Sequence, residues 1–115
     1  YNLHQLSIII GLAIINSLNT LFNCNLKLKW PNDIVTNNYN KLEKIGGVLI
    51  EICNNKIIIG FGLNINAKDY RNTWPSLKSI LNSSQDLNRE LITAAIVNNI
   101  LEYIFGPQRY FTFFG

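Results

Sequence analysis

Ile45-Gly46-Gly47-Val48-Leu49-Ile50-Glu51-Ile52, then Cys53-Asn54-Asn55, then Lys56-Ile57-Ile58-Ile59-Gly60-Phe61-Gly62-Leu63, is the stretch that decides the fold. Two β-branched runs flank an Asn-Asn pair, and asparagine tolerates turn geometry, so the spacing predicts a β-hairpin. Toward the N-terminus, Leu26, Leu28 and Trp30 alternate with Lys27 and Lys29, the pattern of a strand with one wet face. Pro31 breaks that strand, Asp33 to Thr36 reads as a second short one, and Asn37-Asn38-Tyr39-Asn40 as a polar turn. Leu6 to Asn23 reads as a helix apolar on most sides, with Asn16, Asn19 and Asn23 as a narrow polar stripe. After the hairpin come a loop holding Trp74-Pro75-Ser76 and a short helical turn from Ser76 to Leu81. A final helix follows, capped by Asp86 or Asn88, wet along Glu90, Thr93, Asn98 and Glu102, and stopped after Phe105 by Gly106-Pro107. The expected class is α+β, a mostly antiparallel sheet with helices packed on one face.

Composition sets the outer limits. The chain has 115 residues, 48% of them apolar and 15% charged, enough to bury the core of one domain and too ordered in pattern for a disordered chain. Its net charge is +3, and its three arginines, Arg71, Arg89 and Arg109, lie far apart, which argues against a dedicated nucleic-acid surface. The excess of Lys, Asn and Ile is consistent with genomic base bias. Cys24 and Cys53 lack the spacing of a metal site and are expected as reduced core residues of a cytoplasmic protein. Leu6 to Leu21 is interrupted by Ser7, Gly11, Asn16, Ser17, Asn19 and Thr20, and no cationic region precedes it; a buried helix is expected, with neither a membrane span nor a signal peptide. A chain that opens at Tyr1 and has no Met is expected to be a fragment or a processed product. His4, alone before a helix, and the sequon Asn82-Ser83-Ser84 are given no function.

Three segments break the rules of ordinary strands. Lys29-Trp30-Pro31-Asn32-Asp33 gathers a cation, an indole and two polar side chains around a rigid residue, though Pro-Asn-Asp is equally a plain turn. In Lys44-Ile45-Gly46-Gly47-Val48-Leu49-Ile50-Glu51, adjacent glycines weaken a strand; either a β-bulge or close approach of a ligand accounts for them, and the two are compatible. Gly60-Phe61-Gly62-Leu63-Asn64-Ile65-Asn66 looks like half of a dinucleotide fingerprint, but Ile65 replaces the third glycine and no helix follows at once.

In this order, the three segments resemble the central part of the biotin–protein ligase catalytic domain. The helix at Leu6 to Leu21 and the one ending at Phe105 resemble the family's flanking helices, so the likeness covers nearly the whole chain. It implies a fold akin to lipoate–protein ligases and class II aminoacyl-tRNA synthetases. Residues 1–105 would be a partial, truncated catalytic domain, with 106–115 an atypical tail. It also implies an activity: joining biotin to ATP as biotinyl-5′-AMP, then passing the biotinyl group to a lysine of a carboxylase's biotin carboxyl carrier domain. Lipoyl transfer and a non-catalytic biotin-binding remnant are the alternatives; the Trp-Pro-Asn-Asp run favours biotin.

Carried over by motif, Lys44 falls on the family's catalytic lysine, beside the biotin carboxylate and the α-phosphate. Gly47, Leu49, Gly60 and Leu63 fall on positions bordering biotin. Lys29, Asn32, Asp33 and Asn64 fall on polar positions around the adenylate. Asp33 and Asn64 are the candidates for Mg²⁺, and Asp33 can also orient or deprotonate the incoming lysine. The Asp33–Lys44 loop looks longer than in common members and holds a competing Lys41. The family's Gly-Arg-Gly-type adenylate loop and Ser-Thr-Asn segment, expected before Leu6, and its later SH3-like domain have no counterpart in these residues.

Overall fold

A computed structural model describes residues 2–38, 40–67 and 75–106; Tyr39, Trp74 and the tail from Pro107 on lie outside the described residues. The elements run α1 (Leu3–Phe22), β1 (Lys27–Lys29), β2 (Asp33–Asn38), β3 (Lys41–Cys53), β4 (Lys56–Leu63), α2 (Leu77–Ile80) and α3 (Arg89–Phe105). The four strands form one antiparallel sheet in sequence order. α1 lies against β1, β2 and β3, and α3 packs on α1, so the α+β layering expected from the pattern is the one formed.

Local chemistry explains the boundaries. α1 starts at Leu3 rather than Leu6 because Asn2 and Gln5 make a reciprocal capping box, and it ends at Asn23 in a left-handed conformation. Asn88 caps α3: its side chain accepts from the Leu91 N–H at 3.1 Å. The β3–β4 turn is Asn54-Asn55 with φ of 51° and 61°, the paired left-handed geometry of a two-residue hairpin loop, which fixes Cys53 opposite Lys56. The Asp33–Lys44 segment is not a long loop. β2 runs on to Asn38 and β3 begins at Lys41, so both arms are paired, and Asn40, just before β3, has φ 64°.

The core is Leu6, Ile10, Ile14 and Leu18 of α1, Ile34, Ile45 and Val48 of the sheet, Leu77 of α2, and Ile92, Ile96 and Ile100 of α3. The last three recur every fourth residue and form the face that α3 turns inward. By length and hydropathy α1 could cross a bilayer, yet half of its most apolar window is buried within the fold. Its polar atoms are met there: Asn99 donates to the Ala13 carbonyl at 2.9 Å and to Ser17 Oγ at 3.0 Å. Cys24 is half-buried, and burial pushes its thiol pKa up, so it stays protonated. Cys53, expected in the core, is exposed, because the end of the hairpin extends beyond the helices.

Candidate functional site

Opposed residues of an antiparallel pair share a face, so the register sorts the sheet into rows. Leu28, Ile34, Gly46 and Leu63 form one row; Leu28 and Leu63 pack on the core and Ile34 is fully buried, which makes this the helix-facing row. The neighbouring row, Lys29, Asp33, Gly47 and Gly62, therefore points away from the helices, and the Leu49–Gly60 pair two residues on shares that face. Three glycines thus lie together on the side of the sheet that, among the described residues, carries no helix.

They are not alike. A Cβ on Gly62 would meet nothing within 4 Å, and one on Gly60 only the Leu49 carbonyl at 3.7 Å. A Cβ on Gly46 would collide with the Gly62 carbonyl oxygen. Gly46 is glycine because two backbones touch; Gly60 and Gly62 are glycine although the fold has room for a side chain. Gly46→Ala should therefore lower stability by about 1–3 kcal/mol, toward the upper end because the obstacle is backbone. Urea unfolding checks this, and an unchanged midpoint would mean that β3 and β4 can separate freely.

Lys44 reaches the glycine face through a β-bulge. Lys44 and Gly47 are three residues apart, and strict alternation would send them to opposite faces. The β2–β3 pairing, however, steps from Ile34↔Gly46 to Val35↔Lys44, leaving Ile45 without a partner. Ile45 turns into the core, and Lys44 emerges on the same side as Gly47. Its Cε lies 3.5 Å from where a Gly47 Cβ would sit, and its Nζ lies 3.2 Å from Asp33 Oδ1. The bulge expected at the twin glycines is thus present, at the step from Gly46 to Lys44.

The result is an open trough of about 670 Å³. Gly47, Gly60 and Gly62 floor it, Leu49 flanks it, and Asp33 and Lys44 stand at one end. Lys44 is 47% exposed and Asp33 29%, so the pair is a wet, reachable charge pair rather than a buried one. Of the residues singled out from sequence, Asn32, Asp33, Lys44, Gly47, Leu49, Gly60, Leu63 and Asn64 all line the trough. Leu63 borders it from the core side. Lys29 is register-paired with Asp33 one strand farther out and is not part of the lining. Lys41 pairs with Asn38 near the turn, away from the trough. His4, given no role, stacks on Trp30 with ring centroids 6.1 Å apart.

Gly62 lies in the glycine-punctuated segment singled out from sequence but was not carried over as a site residue, and it too lines the trough. A two-residue turn at Asn54-Asn55 contains the signal, since counting outward from it sets Gly47 against Gly62 and Leu49 against Gly60. Among the described residues no group of three or more His, Cys, Asp and Glu side chains could hold a metal ion.

No family model matches the chain. The bifunctional ligase/repressor BirA of Bacillus subtilis is 30% identical over 104 residues, covering 84% of this chain and 30% of that protein. The biotin protein ligase of Aquifex aeolicus superimposes with a TM-score of 0.77 in its apo structure, at 27% identity, over 89% of this chain and 46% of that one. Its complex with biotin and ATP gives 0.76 at 29% identity, over 90% and 44%. The chain thus spans less than half the length of these relatives. In sequence and in fold, the chain is similar to part of the biotin protein ligases.

Proposed function

We propose that residues 1–105 are part of a catalytic domain that activates biotin with ATP and transfers it to a lysine of a biotin carboxyl carrier domain in the cytoplasm. The observation that carries this reading is Lys44 lying over a glycine floor with Asp33 at 3.2 Å. A flat bicyclic ligand needs bare backbone beneath it, and Gly47, Gly60 and Gly62 supply that on one face of the sheet. The nucleotide would lie toward the end where Lys29, Asn32, Asp33 and Asn64 stand. That a relative of the same fold has been solved in complex with biotin and ATP supports these two as the ligands.

In the first step a biotin carboxylate oxygen attacks the α-phosphorus of ATP; the P–O bond to pyrophosphate breaks, giving biotinyl-5′-AMP and pyrophosphate. Negative charge grows on the phosphoryl oxygens, and the Lys44 ammonium, already turned over the floor, stabilises it. In the second step the carrier lysine attacks the acyl carbon, the new amide forms, and AMP leaves. Asp33 is placed to accept a proton from the incoming ammonium, and its pairing with Lys44 keeps its carboxylate oriented meanwhile. Mg²⁺ fits this donor set only as an ion carried in on ATP. Asp33 supplies the single carboxylate such an ion needs beside phosphate oxygens, and Asn64 an amide oxygen. When bound, the ion would neutralise phosphate charge.

Titration calorimetry on the whole protein in which this chain occurs tests the ligand. Biotin should bind saturably, and lipoate should not displace it. Equal displacement by lipoate would favour a lipoyl-transferring enzyme, and no biotin binding would end the proposal.

A further inference from the structure

The trough depends on a weak stretch of β3. Ile45 to Val48 contains a residue left out of the β2 pairing and two glycines in succession, an unfavourable combination for strand backbone. The fold clamps this stretch at both ends. At the Ile45 end, the Asn64 N–H donates to the Ile45 carbonyl at 2.8 Å, the Asn64 carbonyl accepts from Leu77 N–H at 2.8 Å, and Asn64 Nδ2 donates to the Pro75 carbonyl at 3.0 Å. The Val48 end lies beyond the last paired residue of β2, and Asn32 takes over there. Its main-chain carbonyl accepts from Val48 N–H at 3.0 Å, and its side-chain Nδ2 donates to the Val48 carbonyl at 2.8 Å. One residue thus holds both polar groups of Val48.

We propose that Asn32 is a positioning residue: its clamp on Val48 holds Gly47 in register with Asp33 and so sets the Asp33–Lys44 pair. The chain of contacts is short. Asp33 follows Asn32 directly and is register-paired with Gly47; a Cβ on Gly47 would lie 3.5 Å from Lys44 Cε, and Lys44 Nζ meets Asp33 Oδ1 at 3.2 Å. The Asn32 carbonyl would itself lie 3.3 Å from a Gly47 Cβ, so the clamp and the floor are in contact. In this role the amide N–H of Asn32 matters more than its oxygen, a demand opposite to that of a Mg²⁺ contact. The consequence for catalysis rests on the function proposed above; the consequence for β3 does not.

Asn32→Asp and Asn32→Ala separate the two roles, because aspartate keeps the shape and the oxygen but loses the N–H donor. Hydrogen exchange on the ligand-free whole protein is the first measurement. Both variants should lose protection at Gly47 and Val48 by roughly fivefold or more, the weight of one hydrogen bond. The slowest amides of α1 should stay protected, which shows that the fold persists. Unchanged exchange at Val48 in both variants would overturn the proposal. The second measurement is biotin-dependent pyrophosphate exchange against Mg²⁺ concentration. Both variants should lose kcat to a similar degree, with the Mg²⁺ midpoint unmoved. An active Asn32→Asp beside an inactive Asn32→Ala, or a shifted Mg²⁺ midpoint, would assign Asn32 to the ligand instead. If wild type shows no pyrophosphate exchange, the function reading fails while the exchange data still decide the clamp.

Discussion

Replacing Lys44 by glutamine is expected to slow biotin-dependent pyrophosphate release from ATP by about a hundredfold or more, the usual loss when one preorganised charge contact is removed from a transition state. Glutamine keeps most of the side-chain length and hydrogen-bonding capacity, so the loss isolates the charge. The fold should hardly respond, because Lys44 is half exposed and its partner Asp33 is reached by solvent. Lys41→Gln is the control. It sits beside the β2–β3 turn, on the part of β3 that precedes the bulge, and does not line the trough. Its rate should stay close to wild type. A damaging Lys41→Gln beside an active Lys44→Gln would mean that the bulge is displaced and the register across β2 and β3 is wrong. Two active variants would remove the lysine from the mechanism.

The second large effect is expected at Gly62. Valine there meets no atom of the fold within 4 Å at its Cβ, so the urea midpoint should change little. The same side chain would stand up from the floor of the trough, where a flat ligand must lie. Crowding of this kind costs about 1–3 kcal/mol, or about five- to 150-fold in affinity. Calorimetry with biotin reads it directly. Gly47→Val should weaken binding as well, but with less clean separation. Its Cβ would press on the Asn32 carbonyl at 3.3 Å and on Lys44 Cε at 3.5 Å, so it disturbs the clamp and the charge pair together. Full biotin affinity in Gly62→Val would move the pocket off this face. A large loss of stability would instead mean that the open space above Gly62 is filled in solution.

Much of this architecture was legible in the chain because the signals are local. Asn54-Asn55 can adopt left-handed backbone at modest cost, so two β-branched runs around it had to fold back as a hairpin. The apolar surround of α1 and the Asn88 cap and Gly106 stop of α3 are set within one or two helical turns. The order of the three motif segments was likewise enough to suggest the family, and eight of the nine singled-out residues line one trough.

What only the tertiary structure decided is which way those residues face and what each glycine is for. Composition could not separate Gly46, forced by contact with the backbone of β4, from Gly62, where the fold leaves room, because the difference lies in cross-strand register. Nor could spacing place Lys44: alternation along β3 assigns it to the helix side, and the unpaired Ile45 reverses that assignment. The exposure of Cys53 and the pairing of the Asp33–Lys44 segment escaped for the same reason, since burial and pairing depend on where the helices end and where β2 stops. Local sequence determined the elements and their turns, because turn and periodicity energies act over a few residues. The charged pair over a bare floor arose only when three strands were brought into register, because a strand's side chains alternate and a single unpaired residue inverts every face beyond it.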